Sequence, residues 1–184
     1  MKPLVLLIGA SGSGKTTVAQ RLCSRYTLQQ TASYTTRAPR EDGEVGHIFC
    51  SRDEFESLRQ GKQLVAWTEI NGHHYGATRQ QIDEADIYVV DPYGASVLAD
   101  IYSAERKLFF VYLDVDAEYR ENRMKERGST DEEIRERLAS DAQFLQSART
   151  VSDKFDTALF VKNENLAETV GMIARFVGLQ EGEN

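Results

Sequence analysis

The chain opens on an uninterrupted apolar run, Pro3-Leu4-Val5-Leu6-Leu7-Ile8, that stops at Gly9. A run of this length without polar alternation predicts a strand covered on both faces, as in a parallel sheet. Over residues 16–26 the period changes. Val18, Ala19 and Leu22 fall on one side of a helix and Gln20, Arg21 and Ser24 on the other, the pattern of an amphipathic helix lying on a sheet. Apolar runs return at 87–90, 108–113 and 158–161, each followed by a helical period, at about 95–102, 117–127 and 166–177. Strands alternating with helices predict an α/β fold with a doubly wound parallel sheet, whose ligands gather at the carboxyl ends of the strands.

Two stretches break the rhythm. Residues 33–79 hold short β-like runs such as 64–70, an Asn71-Gly72 turn signal and one helical stretch over 52–60, which predicts a small inserted α+β subdomain. Residues 126–137 are highly charged and carry Gly128 between two helical patterns; they read as a short lid, or as an ordinary solvated helix junction. The expected organisation is one domain over 1–184, with a core of 1–32 and 80–184, an inserted subdomain at 33–79 and a lid at 126–137. The tail, 178–184, is expected to fray.

Composition changes this picture little. The 184 residues, 41% of them hydrophobic, suffice for one sizeable core. Lys and Arg number 22 against 29 Asp and Glu, a net charge of -7, which opposes non-specific attraction to nucleic acid or to an anionic membrane surface. Cys23 and Cys50 lack ligand-spaced partners, so buried free thiols are expected rather than a disulfide or a zinc site. No apolar run reaches spanning length, and the first leads into glycines without a cleavage site. The expectation is a cytoplasmic protein, monomeric or homodimeric.

The chemistry begins where the first strand ends. Gly9-Ala10-Ser11-Gly12-Ser13-Gly14-Lys15-Thr16 fits G-x-x-x-x-G-K-[ST] and lies between a buried strand and an amphipathic helix. Glycines let the backbone curl so that successive N–H groups face phosphate oxygens, and the helix amino terminus adds partial positive charge. This segment, with Thr17, is the expected ATP site. Lys15 would bridge the β and γ phosphates, and the Thr16 hydroxyl would hold Mg²⁺. Asp91, closing the run at 87–90, stands where a carboxylate can orient the water shell of that ion; strand-end aspartates also serve simply to start loops.

The inserted segment narrows the family. Ser33-Tyr34-Thr35-Thr36-Arg37-Ala38-Pro39-Arg40, then Gly43-Glu44-Val45 and Ser51-Arg52-Asp53-Glu54-Phe55, resembles the nucleoside-monophosphate region of guanylate kinases. The resemblance continues through Trp67-Thr68-Glu69-Ile70-Asn71-Gly72-His73-His74-Tyr75-Gly76, through Arg123-Met124-Lys125-Glu126-Arg127-Gly128 with Arg137, and through Asn163-Glu164-Asn165-Leu166. It implies an acceptor site made of Ser33, Arg37, Arg40, His47, Tyr75 and Asp91, with His47 standing where the family has a phosphate-binding tyrosine. It also implies lid arginines Arg123, Arg127 and Arg137 acting in catalysis, and Asn163 beside the adenine. Taken alone, Arg37 and Arg40 are spaced to fork onto one phosphate, with the Tyr75 hydroxyl as a further donor. Arg135 reads as a solvated residue.

The resemblance fails where guanine would be read. Ala66, Ala77 and Tyr93 occupy positions where guanylate kinases carry polar groups; Glu69 or Tyr93 is the candidate substitute. The implied function is ATP-dependent phosphorylation of a nucleoside monophosphate, GMP or dGMP first. A kinase of a sugar phosphate such as ribose 1,5-bisphosphate, and a non-catalytic protein-interaction module, are the alternatives.

Overall fold

The computed structural model describes residues 2–40 and 42–180. In chain order the elements are β1 (Leu4–Ile8), α1 (Lys15–Tyr26), β2 (Ser33–Thr35), β3 (His47–Phe49), α2 (Arg52–Gln60), β4 (Leu64–Ile70), β5 (His73–Thr78) and α3 (Arg79–Glu84). There follow β6 (Ile87–Val89), α4 (Pro92–Tyr102), β7 (Leu108–Asp114), α5 (Ala117–Glu126), α6 (Asp131–Ser140), a 3-10 turn (Asp141–Gln143), α7 (Phe144–Ser152), β8 (Ala158–Lys162) and α8 (Leu166–Val177).

All five residues of β1 are buried because it lies inside a parallel sheet of order β6-β1-β7-β8. Its side chains alternate between two apolar layers. Val5 and Leu7 meet Val18, Ala19 and Leu22 of α1 and Val170 and Ile173 of α8. Leu4, Leu6 and Ile8 meet Ala95, Leu98 and Tyr102 of α4 and Ala148 of α7. Helices on both faces make the sheet doubly wound, and continuous apolar runs follow from that two-sided cover.

The second sheet, β3-β2-β5-β4, comes wholly from the segment that breaks the alternation, with β2 parallel to β3 and antiparallel to β5. Asn71 and Gly72 both have positive φ, 50° and 73°, where they join β4 to β5, as a tight hairpin turn requires. Phe55 of α2 is fully buried beneath this sheet against His74.

Several expectations need correction. The helix expected from residue 95 starts at Pro92, because Asp91 caps it and proline suits a first helical position. Residues 126–137 take in the end of α5 and most of α6, a helix hairpin in which Gly128, at φ 79°, follows α5 and Thr130 caps α6. Short α3 and amphipathic α7 were not foreseen. Gly178 ends α8, and Leu179 packs on the core, so the tail is ordered at its start; residues 181–184 lie outside the described residues. Cys23 and Cys50 are free but only half-buried. Among the described residues no helix is long and apolar enough to cross a membrane.

Candidate active site

The glycine loop curls between β1 and α1 at the carboxyl edge of the parallel sheet. A Cβ on Gly9 would lie 2.5 Å from Ser13 Oγ and 2.9 Å from the Leu113 carbonyl oxygen, so only glycine fits there. Ser13 is fully buried and donates its N–H to Ala10. Lys15 Nζ donates to the carbonyl oxygens of Gly9 (2.6 Å) and Ala10 (3.0 Å). Burial pushes its pKa down to about 8, against the pull of the Asp141 carboxylate and with the push of Arg40, Arg120 and Arg127. Thr16 is the second residue of α1, and exposed Thr17 lines a cleft with Gly14, Arg123, Arg127, Asn163 and Leu166.

That cleft is framed by contacts across the chain. Buried Asn163 donates from Nδ2 to Ser13 O at 2.7 Å, and Gly14, at φ 87°, has no room for a Cβ beside that amide. Arg123 donates to the carbonyl oxygens of Gly12 (3.3 Å) and Asn163 (3.1 Å). Arg137, half-buried on α6, lies close enough to Arg40 to disfavour the charge there. Arg135 is exposed and donates back to Asp131 O.

On the other side, register decides which side chains converge. The pairs Ser33 with His47, Thr35 with Phe49 and with Tyr75, Ala77 with Ala66, and Tyr75 with Thr68 put these residues on one face of the second sheet. Ser33 Oγ lies 3.1 Å from His47 Nδ1, and the His47 and Tyr75 rings are 5.9 Å apart. Burial, with the Arg37 charge, lowers the His47 pKa to about 4, so the ring is neutral at pH 7.

Arg37 has a partner within the chain. Its guanidinium is 8% exposed and already forked onto Glu44, Nη2 to Oε1 at 2.7 Å and Nη1 to Oε2 at 3.1 Å. It also lies over the Phe49 ring, beside the Tyr75 hydroxyl, and its Nε is buried without a partner among the described residues. Glu44 takes the Arg40 N–H as well. Desolvation opposes the carboxylate charge of Glu44, but these bonds and both arginine charges prevail and hold its pKa at about 2. The Arg37 guanidinium is thus held by the Glu44 carboxylate, a pairing the sequence did not reveal. Among the described residues no acid pairs with the Arg40 guanidinium; partial desolvation and the charges of Arg37 and Arg137 lower its pKa.

Asp91 stands at the start of α4. One oxygen caps α4, accepting the N–H groups of Tyr93 (2.9 Å) and Gly94 (3.1 Å), while the carboxylate as a whole lies within electrostatic reach of Lys15. Burial raises its pKa despite these bonds. Ala66 and Ala77 face each other across β4 and β5, buried in the α4 layer. Tyr93 is exposed at the start of α4, and Glu69 lies on the opposite face of β4 with His74, away from the acceptor cluster, which removes it as a base reader.

One pair escaped sequence reasoning. Asp141 Oδ2 accepts from the Ser11 N–H at 3.0 Å and from Arg120 Nη1 at 2.9 Å. No motif marks either residue.

Comparison with known proteins shows the family and agrees with the fold. A family model described as guanylate kinase matches residues 1–179. A guanylate kinase from Synechocystis is 31% identical, covering 97% of this chain and 94% of its own length, and one from Parasynechococcus marenigrum is 31% identical over 86% and 94%. Among solved structures, a guanylate kinase from Anaplasma phagocytophilum superposes with a TM-score of 0.63 at 19% identity, covering 99% of this chain and 88% of that one. An uncharacterized protein from Eubacterium ventriosum reaches 0.51 at 12% identity, over 96% and 99%; both likenesses concern the fold alone. Matched by the family model from end to end of its core and by relatives along nearly their full length, this chain belongs to the guanylate kinase family of P-loop nucleoside monophosphate kinases.

Proposed function

We propose that the protein, a monomer or homodimer, transfers the γ phosphate of ATP to GMP or dGMP in the cytoplasm. The observation that carries this reading is the one-faced cluster of Ser33, His47 and Tyr75, with Arg37 beside Tyr75 and Arg40 close to both. Such a concentration of donors and positive charge suits a phosphate monoester. Residues 9–17, through loop N–H groups other than those of Ser11 and Ser13, and Lys15 hold the triphosphate, and Asn163 borders the adenine. Arg123, Arg127 and Arg137 stabilise charge on the transferring group as the hairpin closes. The acceptor phosphate oxygen then attacks the γ phosphorus directly, so no covalent enzyme intermediate is required. The Thr16 hydroxyl and, through water, the Asp91 carboxylate are hard oxygen donors of the kind Mg²⁺ takes. That ion, when bound, neutralises charge between the β and γ phosphates. Core 1–32 and 80–184, insertion 33–79 and lid 126–137 act as parts of one domain.

Base selectivity is weak in this reading. A charged hydrogen bond contributes roughly 1.5–3 kcal/mol, so an absent carboxylate forfeits about one to two powers of ten in affinity. The buried Ala66–Ala77 pair also favours a second reading, a sugar phosphate acceptor such as ribose 1,5-bisphosphate, which needs no base reader. A coupled ADP-release assay across GMP, dGMP, AMP, the pyrimidine monophosphates and ribose 1,5-bisphosphate tests both. Turnover of GMP with a kcat/KM advantage over AMP below about a thousandfold is expected. Exclusive use of the bisphosphate would overturn the GMP reading, and failure to bind ATP would favour a protein-interaction module.

A further inference from the structure

At the foot of the α5–α6 hairpin lies an ion pair with no part in the transfer chemistry above. Arg120 stands one turn before Arg123 on α5, and Asp141 stands one turn after Arg137, where α6 ends. Their side chains are 13% and 7% exposed. Asp141 Oδ2 is shared between Arg120 Nη1 (2.9 Å) and the Ser11 N–H (3.0 Å). Arg120 in turn donates to the Ser11 carbonyl oxygen at 3.4 Å and to Val115 O at 3.2 Å. Ser11 is thus gripped at both its N–H and its C=O by the two ends of the hairpin that carries Arg123, Arg127 and Arg137. The next residue tightens the contact. Gly12 has φ 76°, and a Cβ there would come within 2.7 Å of the Arg120 carbonyl oxygen, so the backbone of α5 rests on the phosphate loop.

A buried ion pair of purely structural value can be exchanged for an apolar pair with little loss of stability. This one has a third partner, the loop amide. Arginines that meet the transferring phosphate must be placed closely, since a misplacement of about 1 Å can cost about a hundredfold in rate.

We propose that Arg120 and Asp141 are positioning residues: together they pin the foot of the hairpin to Ser11, so that Arg123, Arg127 and Arg137 close about a pivot fixed on the phosphate loop. This rests on phosphate transfer from ATP but not on which acceptor is used.

The test compares Arg120→Met, Asp141→Leu, the double variant and Asp141→Asn in the full chain. Melting temperature, kcat and KM with GMP, and amide exchange of the peptide spanning Ser11 and Gly12 are read for each. Both single apolar variants should melt lower, and the double variant should recover much of that loss, since neither charge is left alone. Its kcat should nonetheless stay about a hundredfold down with KM for GMP within about threefold. Its Ser11–Gly12 amides should exchange at least about tenfold faster, those of β1 remaining protected. Asp141→Asn keeps an oxygen for the Ser11 N–H and should retain slow exchange there; it also serves if the double variant does not fold. Recovery of kcat along with melting temperature, or unchanged exchange in the folded apolar variants, would overturn the pinning. If the unmodified protein transfers nothing to GMP, the acceptor reading falls alone, and the exchange comparison, run without any acceptor, decides the pinning.

Discussion

Binding of ATP should draw a proton onto Lys15. Burial lowers its pKa to about 8, and the nearby Arg40, Arg120 and Arg127 favour the neutral amine while Asp141 opposes them. A triphosphate on the loop adds negative charge within contact distance, which raises a neighbouring ammonium's pKa by about 1–3 units, enough to return it to about 10. The uptake per ATP is the difference between the protonated fractions, about 0.1 proton at pH 7, about 0.5 at pH 8 and about 0.8 at pH 9. ATP itself contributes little above neutrality, so the rise belongs to the protein. Calorimetric titrations with MgATP, repeated at each pH in buffers of different ionisation enthalpy, measure the number directly. Lys15→Met should bind ATP more weakly, with the pH-dependent uptake gone and phosphate transfer abolished. An uptake that is flat from pH 7 to 9, or equal in Lys15→Met, would show that Lys15 is already charged in the free protein and that burial does not control it.

Other perturbations follow from the acceptor side and the loop. Arg37→Ala should raise the acceptor KM at least about tenfold and lower stability by about 1–3 kcal/mol, because half-buried Glu44 is left without its charged partner; a collapse of MgATP affinity with acceptor KM unchanged would refute the assignment. The depressed Glu44 pKa, about 2, contributes stability that is complete above the ordinary carboxylate range and is lost as pH falls from about 4.5 toward 2. Urea midpoints should therefore fall more steeply with acid in the parent than in Glu44→Gln, and parallel curves would contradict the pair. Gly14→Ala combines a strained φ with a Cβ 2.7 Å from Asn163 Nδ2, so MgATP affinity should drop by at least about tenfold, measurable by titration. Ala66→Glu would bury a carboxylate opposite Ala77 in an apolar layer. Its expected effect is a lower melting temperature rather than sharper guanine selectivity; a stable variant preferring GMP would show that the layer opens.

Much was legible in the sequence because it is local. A nine-residue phosphate loop carries its own glycines, cation and hydroxyl in one stretch, and the apolar periods of 3–8, 87–90 and 108–113 report burial on two faces without knowledge of the partners. The charged character of 126–137 marked a distinct segment, but Gly128 and Thr130 act there as ends of two helices, and amphipathic α7 went unseen. Resemblance located Ser33, His47 and Tyr75 as one group, and strand register is what puts them on one face. That Glu44 already fills the Arg37 fork, and that Ala66 and Ala77 bury each other's flanks, required the packed sheet. The grip of Arg120 and Asp141 on Ser11 joins residues 130 positions apart. Periodicity and motif spacing describe neighbours along the chain, whereas which carboxylate meets which amide depends on how helices cross and strands align, and that is settled only when the core closes.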